Sequence, residues 1–259
     1  MTNDRGIQLL DDFSREGRTA FSAAEVQARL ALSPQATSNL LSRLTKAGLL
    51  DRLAGGRYAI RPLGAFGTAA AWDDLGSAVA AVFAGQPHRI GFLTALDHHG
   101  LLVRPVRPVQ VASSYRPREK TLAGRPFRVV QEDEGTVLMA TEPLGPSRIA
   151  TVERALLDTA SRPQLTGGAS RLAEALAAAA PTKGLRELAT AVRALPGYRR
   201  IGSIAHACSL QVAQGLEPPS WHSLIELDRR ARGENGWVDK AWGVAWPYPR
   251  AELEAVIAS

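Results

Sequence analysis

Residues 19–61 read TAFSAAEVQARLALSPQATSNLLSRLTKAGLLDRLAGGRYAIR, and this stretch decides the fold of the N-terminal part of the chain. Its first helix is predicted at Ala23–Leu30. Ser22 precedes that segment and Glu25 follows Ser22 by three positions, which is the S-x-x-E pattern of a capping box. In such a box each side chain accepts a hydrogen bond from the backbone N–H of the other residue. The pattern therefore predicts a short helix that begins directly after Ser22.

A second helix is predicted from Pro34 to about Ala47. Ser33 is a suitable N-cap, and Pro34 fits the first helical position because a backbone N–H has no partner there. Gly48 suits the position just past the helix, where the backbone is left-handed. The side predicted to face the core holds Thr37, Leu40, Leu41 and Leu44. The opposite side holds the polar residues Gln35, Ser38, Asn39, Ser42, Arg43 and Lys46.

A β-hairpin is predicted directly after this helix. Leu49–Leu53 and Arg57–Arg61 are short strand candidates, and the turn Ala54-Gly55-Gly56 separates them. A leading helix is predicted at residues 5–16, with three residues turned inward: Ile7, Leu10 and Phe13. The order of three helices and a hairpin predicts a winged helix-turn-helix domain over residues 1–66 of an α+β protein.

The winged helix-turn-helix pattern predicts binding to double-stranded DNA. The amide and guanidinium groups of the second helix suit the base edges of a major groove, and hairpin arginines suit backbone phosphates. The predicted base contacts are Gln35, Ser38, Asn39 and Arg43. Further predicted contacts are Ser33, Ser42, Lys46, Arg52, Arg57 and Tyr58. The alternative is a small helical domain that binds another protein.

Length and composition bound the rest of the interpretation. A chain of 259 residues suits two domains, and a net charge of +6 favours a polyanionic partner without requiring one. The single cysteine, Cys208, excludes a disulfide within the chain and a cysteine-based metal site. No apolar stretch suggests a signal peptide or a membrane span, so a cytoplasmic protein that does not contact membranes is expected.

Residues 67–259 are predicted to form an α+β C-terminal domain. Pro62–Thr68 reads as a linker before it. Helices are predicted at 69–84, 90–102, 153–161, 169–180, 185–195, 201–214 and 250–257. Strands are predicted around 106–111 and at 127–130 and 136–141, and residues 149–152 form either a fourth short strand or the entry to a helix. The tryptophan-rich tail, with Trp221, Trp237, Trp242 and Trp246, is interpreted chiefly as core.

A second cationic segment lies in the C-terminal domain. Residues 86–130 hold eight basic and two acidic residues, a denser positive charge than that of residues 1–62, with nine basic and six acidic residues. Arg116, Arg118 and Lys120 within it are candidates for a further DNA contact. The alternative is a solvated loop whose charge is balanced by the acidic run at 132–134.

No catalytic constellation stands out, and we expect no enzymatic activity, metal or cofactor. Adjacent helical residues such as His98 and His99 point about 100° apart and are not a ready metal pair. An acidic nuclease-like site would have to be assembled from residues whose spacing does not demand it: Asp97, Lys120, Glu132, Asp133 and Glu134.

Five segments together resemble the AbiEi family, the antitoxins of type IV toxin–antitoxin systems, and in particular its mycobacterial two-domain members. They are ALDHHGLL (95–102), PVQVASSYRPR (108–118), RPFRVV (125–130), IATVERALLDTASRPQLTGG (149–168) and YRRIGSIAHA (198–207). The resemblance implies an N-terminal winged helix that represses its own operon at an inverted-repeat operator. It implies a C-terminal domain needed for antitoxicity and a nucleotidyltransferase-like toxin as functional counterpart, with no stable complex required between the two. It carries over no catalytic residues.

Two other functions compete with an autorepressing antitoxin. One is a stand-alone winged-helix transcription factor whose C-terminal domain senses a small ligand, with a pocket lined by the tail tryptophans. The other is an enzyme acting on nucleic acid through Glu132 or Asp133.

Overall fold

The computed structural model describes residues 2–18, 20–52, 56–60, 75–83, 85–122, 125–220, 223–228 and 235–258, with side chains from Arg5 onward. These residues form a mixed α+β structure. The predicted linker at 62–68, Arg61, the hairpin turn at 54–55, Trp72 and Trp221 lie outside this part of the chain, as does the beginning of the helix predicted at 69–84.

The N-terminal module comprises the described residues between 2 and 60. Its elements are α1 (Thr2–Arg15), β1 (Ala20–Ser22), α2 (Ala23–Leu30), α3 (Pro34–Lys46), β2 (Leu50–Arg52) and β3 (Arg57–Ile60). The three strands form an antiparallel sheet in the order β1-β3-β2. The sequence did not predict β1, which is three residues long and too short for a periodic signal.

Local capping explains where α2 and α3 begin. Ser22 accepts a hydrogen bond from the backbone of Glu25 and Glu25 accepts one from Ser22, so the predicted capping box is confirmed. The Ser33 hydroxyl accepts from the backbone N–H of Ala36 at 3.2 Å, with proline following it as predicted. Gly48 has the left-handed φ of 71° expected past the end of α3.

The prediction for the inner face of α1 is wrong at Ile7, which is 50% exposed. Leu10 and Phe13 are buried as predicted, and Leu9 is buried in addition. Gly6 lies on the same face, because residues three, four and seven positions apart share one side of a helix. Phe13 stacks on Phe21 of β1 with ring centroids 4.6 Å apart, which joins α1 to the sheet.

The body comprises the described residues from 75 to 258. Its helices are α4 (Leu75–Phe83), α5 (Phe92–His98), α6 (Glu134–Val137), α7 (Val152–Ser161), α8 (Ala169–Ala178), α9 (Leu185–Ala191), α10 (Leu195–Ala207) and α11 (Ala251–Ile257). Its strands are β4 (His88–Ile90), β5 (Val109–Ser113), β6 (Thr121–Leu122), β7 (Arg125–Gln131), β8 (Thr141–Leu144), β9 (Ser147–Ala150), β10 (Ile225–Glu226), β11 (Trp237–Asp239) and β12 (Val244–Trp246).

A six-stranded mixed sheet forms the centre of the body, in the order β6-β7-β5-β4-β9-β8. β5 runs parallel to β7 and antiparallel to β4, which in turn runs parallel to β9. Helices α5 and α7 pack against each other and against this sheet, and α10 packs against α7. A smaller sheet has the order β10-β12-β11 and contacts α10 through β12.

One predicted strand of the body is wrong, and two predicted helices are present with different bounds. Residues 136–141 were predicted as a strand, but Asp133 caps the short α6 and the strand β8 begins only at Thr141. The helix predicted at 90–102 is a strand ending at Ile90 followed by α5. The helix predicted at 201–214 is α10, which begins at Leu195 with a proline in its first turn and ends at Ala207.

Two tail tryptophans are core residues, as the sequence indicated. Trp242 and Trp246 are each 2% exposed. Gly202 of α10 lies directly against the Trp242 ring, since a Cβ built there would be 2.2 Å from ring carbons. These indoles therefore fill the space between α10 and the small sheet, and do not line a ligand pocket as the stand-alone hypothesis required.

Helix α4 contacts both parts of the chain. It packs against β1 and β3 of the N-terminal module and against β4 and β9 of the body. Ala59 of β3 is fully buried and belongs to the hydrophobic core of the body. Apolar packing on α4 therefore fixes the N-terminal module to the body.

Candidate nucleic-acid interface

Helix α3 has one buried and one solvent-exposed face. Thr37, Leu40, Leu41 and Leu44 are between 0% and 6% exposed and pack into the module. The six residues predicted to face outward are all exposed: Gln35, Ser38, Asn39, Ser42, Arg43 and Lys46. The polar flank is thus accessible along the whole length of the helix.

Two amides on this flank are held together. The Gln35 Nε2 group donates to Asn39 Oδ1 at 3.2 Å, one helical turn away. This bond leaves the second Gln35 N–H, the Gln35 carbonyl and the Asn39 amino group for an external partner. Such a donor and acceptor set suits base edges, and an amide can bond adenine through two atoms at once.

Among the described residues of the hairpin, one cation is clearly accessible. Arg52 on β2 is exposed, whereas Arg57 on β3 is half-buried and its Nε atom has no hydrogen-bond partner. The prediction of Tyr58 as a DNA contact is wrong. Its ring is 7% exposed and lies on Phe21 with centroids 6.3 Å apart, so Tyr58 is a core residue.

The second cationic candidate forms a separate surface on the body. Arg116, Arg118 and Lys120 are exposed on the basic loop, residues 114–120. Arg116 and Lys120 line a cavity of about 270 Å³ together with Arg128 of β7. Arg125 has a structural role, because it donates to the carbonyls of Val106 and Arg107 at 2.7 and 3.0 Å.

Two of the three acidic residues that could have balanced the basic loop are engaged elsewhere. Glu132 accepts from Arg89 and Arg154, and Asp133 caps α6 by accepting from Gly135 N at 2.9 Å. Asp97 accepts from the backbone of Val106. The described residues contain no group of three or more His, Cys, Asp or Glu side chains arranged to hold a metal ion. The carboxylates considered for a nuclease-like site are therefore not brought together.

A buried network of two arginines and two carboxylates lies inside the body, and the sequence analysis missed it. Arg89 donates to both oxygens of Asp158 at 2.8 Å, and Arg154 Nε donates to Asp158 Oδ1 at 3.0 Å. Glu132 bridges the two arginines from the other side. Burial alone would lower the pKa of Arg89, but Asp158 and Glu132 raise it above its usual value. The four-residue spacing of Arg154 and Asp158 was the available sequence signal.

The two histidines considered as a metal pair, His98 and His99, make contacts within the body. His99 Nε2 lies 2.8 Å from the carbonyl oxygen of Ala150, and the His98 ring packs edge-on against it. None of the helices in the described part of the chain is long and apolar enough to cross a membrane.

Comparisons with known proteins find a likeness of fold. No protein-family model matches the sequence, and no curated protein matches it either. A solved structure, that of the RV2827C protein from Mycobacterium tuberculosis, superposes with a TM-score of 0.67 over 97% of this chain and 94% of the other. The fold is shared with a mycobacterial protein. At 16% sequence identity the likeness concerns the fold alone.

Proposed function

We propose that this chain is a sequence-specific DNA-binding repressor of its own operon and the antitoxin of a type IV toxin–antitoxin pair. The N-terminal module is then a winged helix-turn-helix, with α3 as its recognition helix and β2 and β3 as its wing. The observation that carries the proposal is the exposed polar flank of α3 opposite a fully buried face.

The chemistry of α3 supports DNA as the ligand. An α-helix with its side chains is about as wide as the major groove of B-DNA, so α3 can enter it with the polar flank leading. Gln35, Ser38, Asn39 and Arg43 then face the base edges. Ser33, Ser42, Lys46, Arg52 and Arg57 contact phosphates or support the wing, and the basic loop adds Arg116, Arg118 and Lys120.

The antitoxin role rests on the resemblance of five segments to the AbiEi family. The fold shared with a mycobacterial protein over nearly the full length agrees with it, since the resemblance includes mycobacterial two-domain members. The body has no enzymatic role in this proposal. It opposes a nucleotidyltransferase-like toxin that is encoded alongside, and this role does not require a stable complex with the toxin.

The DNA-binding part is tested with duplexes from the region upstream of the chain's own reading frame and with shuffled duplexes of equal composition. Fluorescence anisotropy is expected to show preference for the upstream sequence. Asn39→Ala removes one base contact and should reduce that preference by about 1–3 kcal/mol. Gln211→Ala, which removes an exposed amide of the body, is the matched control and should leave the preference unchanged. Equal weakening on every sequence by Asn39→Ala would refute base reading.

The antitoxin part is tested by co-expression with the neighbouring reading frame. Growth arrest caused by the neighbour alone and relieved by this chain supports the proposal. Retained operator binding together with failure to relieve arrest would favour a stand-alone transcription factor.

A further inference from the structure

An open groove of about 1050 Å³ runs between α1 and α3 on the N-terminal module. Its apolar floor is formed by Leu9, Leu30, Leu32 and Leu40. Its rims are polar, with Arg5, Gln8 and Asp12 from α1, Arg29 from α2, and Asn39, Ser42, Arg43 and Lys46 from α3. The groove therefore shares residues with the polar flank of α3 and extends that surface onto α1.

Positive charge is concentrated at one end of the groove. Arg29 is neutralised, since it lies 2.6 Å from Glu16 and 3.9 Å from Asp12. Arg5, Arg43 and Lys46 are exposed, and none of them makes an ion pair within the described residues. The unpaired charge of this end is suited to an anion.

Gly6 explains why Arg5 lies beside α3. A Cβ built at Gly6 would be 3.0 Å from Leu44 Cδ2 and 3.2 Å from Leu40 Cδ1, closer than side chains normally pack. Glycine thus lets the first turns of α1 approach the C-terminal half of α3. Arg5 is consequently held on the same side of the module as Arg43 and Lys46.

We infer that this groove seats a phosphodiester strand of the DNA duplex, with Arg5 and Gln8 of α1 as backbone contacts. The inference rests on the proposed function. A helix lying in a major groove is flanked by two phosphate backbones, one on each side. The hairpin with Arg52 lies toward one of them, and the groove between α1 and α3 receives the other. Helix α1 and the hairpin then contact the two backbones on either side of α3 and fix its position in the groove. The backbone contacts of α1 carry no sequence information.

The test uses the full chain and two duplexes of about 30 bp with different mixed sequences, with affinity measured between about 50 and 200 mM salt. Each phosphate contact contributes about 0.9 to the slope of log K against log salt. Arg5→Ala should therefore weaken binding roughly five- to tenfold near 0.1 M salt and flatten the slope by about 0.9, equally on every sequence. Gln8→Ala removes an uncharged contact and should weaken binding without changing the slope.

Arg15→Ala is the matched control. Arg15 lies on the same helix but outside the groove, and it pairs with Asp11 at the surface. Its removal should change affinity by less than about twofold. Both arginines are exposed, so neither substitution should change the thermal midpoint of unfolding. An unchanged midpoint shows that the variant is folded.

Two results would overturn the inference, and they differ in whether the proposed DNA-binding function is overturned as well. If Arg5→Ala matches Arg15→Ala while Arg43→Ala still weakens binding, α1 does not contact the duplex and the proposed function survives. If the unaltered chain binds no duplex at low salt, the inference and the DNA-binding function both fail.

Discussion

Glu25 shows how one side chain at a helix start makes stability depend on pH. Burial by itself raises the pKa of its carboxyl group, but hydrogen bonds from the backbone and hydroxyl of Ser22 and from Arg18 more than offset this and lower it from 4.5 to about 2. A carboxyl group with a lowered pKa in the folded state stabilises the fold at pH values above its unfolded pKa. That stabilisation is lost as the pH falls from about 4.5 to about 2.

We expect Glu25→Gln to lower the free energy of unfolding by about 1 kcal/mol at pH 7, a figure kept small because the side chain is partly exposed. Glutamine still accepts the backbone hydrogen bond of the capping box, so the loss measures the charge. The difference from the unaltered chain, measured by urea unfolding, should vanish toward pH 2. Glu134→Gln on α6 serves as the control. A difference that stays constant from pH 5 to pH 2 would contradict this explanation.

At the scale of single residues, the sequence correctly predicted the interactions that depend only on neighbours along the chain. The Ser22–Glu25 box, the Ser33 cap and the left-handed Gly48 are interactions over a few residues, and the structure confirms them. Tyr58 and Ile7 were misassigned because their burial depends on distant partners. The ring of Tyr58 is covered by Phe21, a residue of a strand that the sequence did not predict.

At the scale of elements, the buried charge network ties β4 to α7 and to the segment before α6. Arg89 and Arg154 are essentially inaccessible, and Asp158 accepts from both of them. Removing one partner from such a cluster leaves a buried charge without compensation, which costs more than the intact pair contributes. The network thus makes the relative positions of these elements specific, because each arginine needs both carboxylates.

We expect Asp158→Asn to lower the free energy of unfolding by about 3 kcal/mol, measured by urea denaturation at neutral pH. Asp133→Asn is the matched control, because asparagine caps a helix as well as aspartate does, and it should change stability by less than about 0.5 kcal/mol. Replacing Arg89, Arg154, Asp158 and Glu132 together by apolar residues should cost less than Asp158→Asn alone. Equal losses of stability in Asp158→Asn and Asp133→Asn would contradict this explanation, because they would show that removing the Asp158 charge leaves no costly buried charge behind.

Element prediction succeeded where a period was long enough to be read. Helices α7 and α8 lie close to their predicted positions because several turns of apolar spacing precede a break. Strand β4 was missed because its three residues are all buried, so no alternation separates it from the helix that follows. The candidate site on α3 could be predicted because the same helical period that identifies α3 also separates its polar face from its apolar face. The groove between α1 and α3 could not be predicted, because it depends on the packing of Gly6.

At the scale of the whole molecule, α4 connects the N-terminal module rigidly to the body. It packs between the module sheet and strands β4 and β9. The Ser147 hydroxyl donates to the carbonyl of Gly76 at 2.7 Å and lies 2.9 Å from His88 Nε2, so polar contacts fix α4 as well. The sequence suggested a linker between two domains, and it could not show that one helix of the body core would also pack against the module sheet.

This coupling predicts a single cooperative unfolding transition. Trp242 and Trp246 lie in the core of the body and residues 2–60 contain no tryptophan, so these two indoles report on the body by fluorescence. The amides of residues 40–44 report on the module by hydrogen exchange. Leu253 of α11 is 1% exposed and belongs to the core of the body. Leu253→Ala should lower stability by about 2–5 kcal/mol, and both signals should shift by the same amount. Fluorescence that shifts while the exchange of residues 40–44 stays unchanged would mean that the module unfolds on its own and that α4 transmits nothing. In the proposed function, a rigid connection would keep the basic loop and α3 in one fixed geometry toward a duplex.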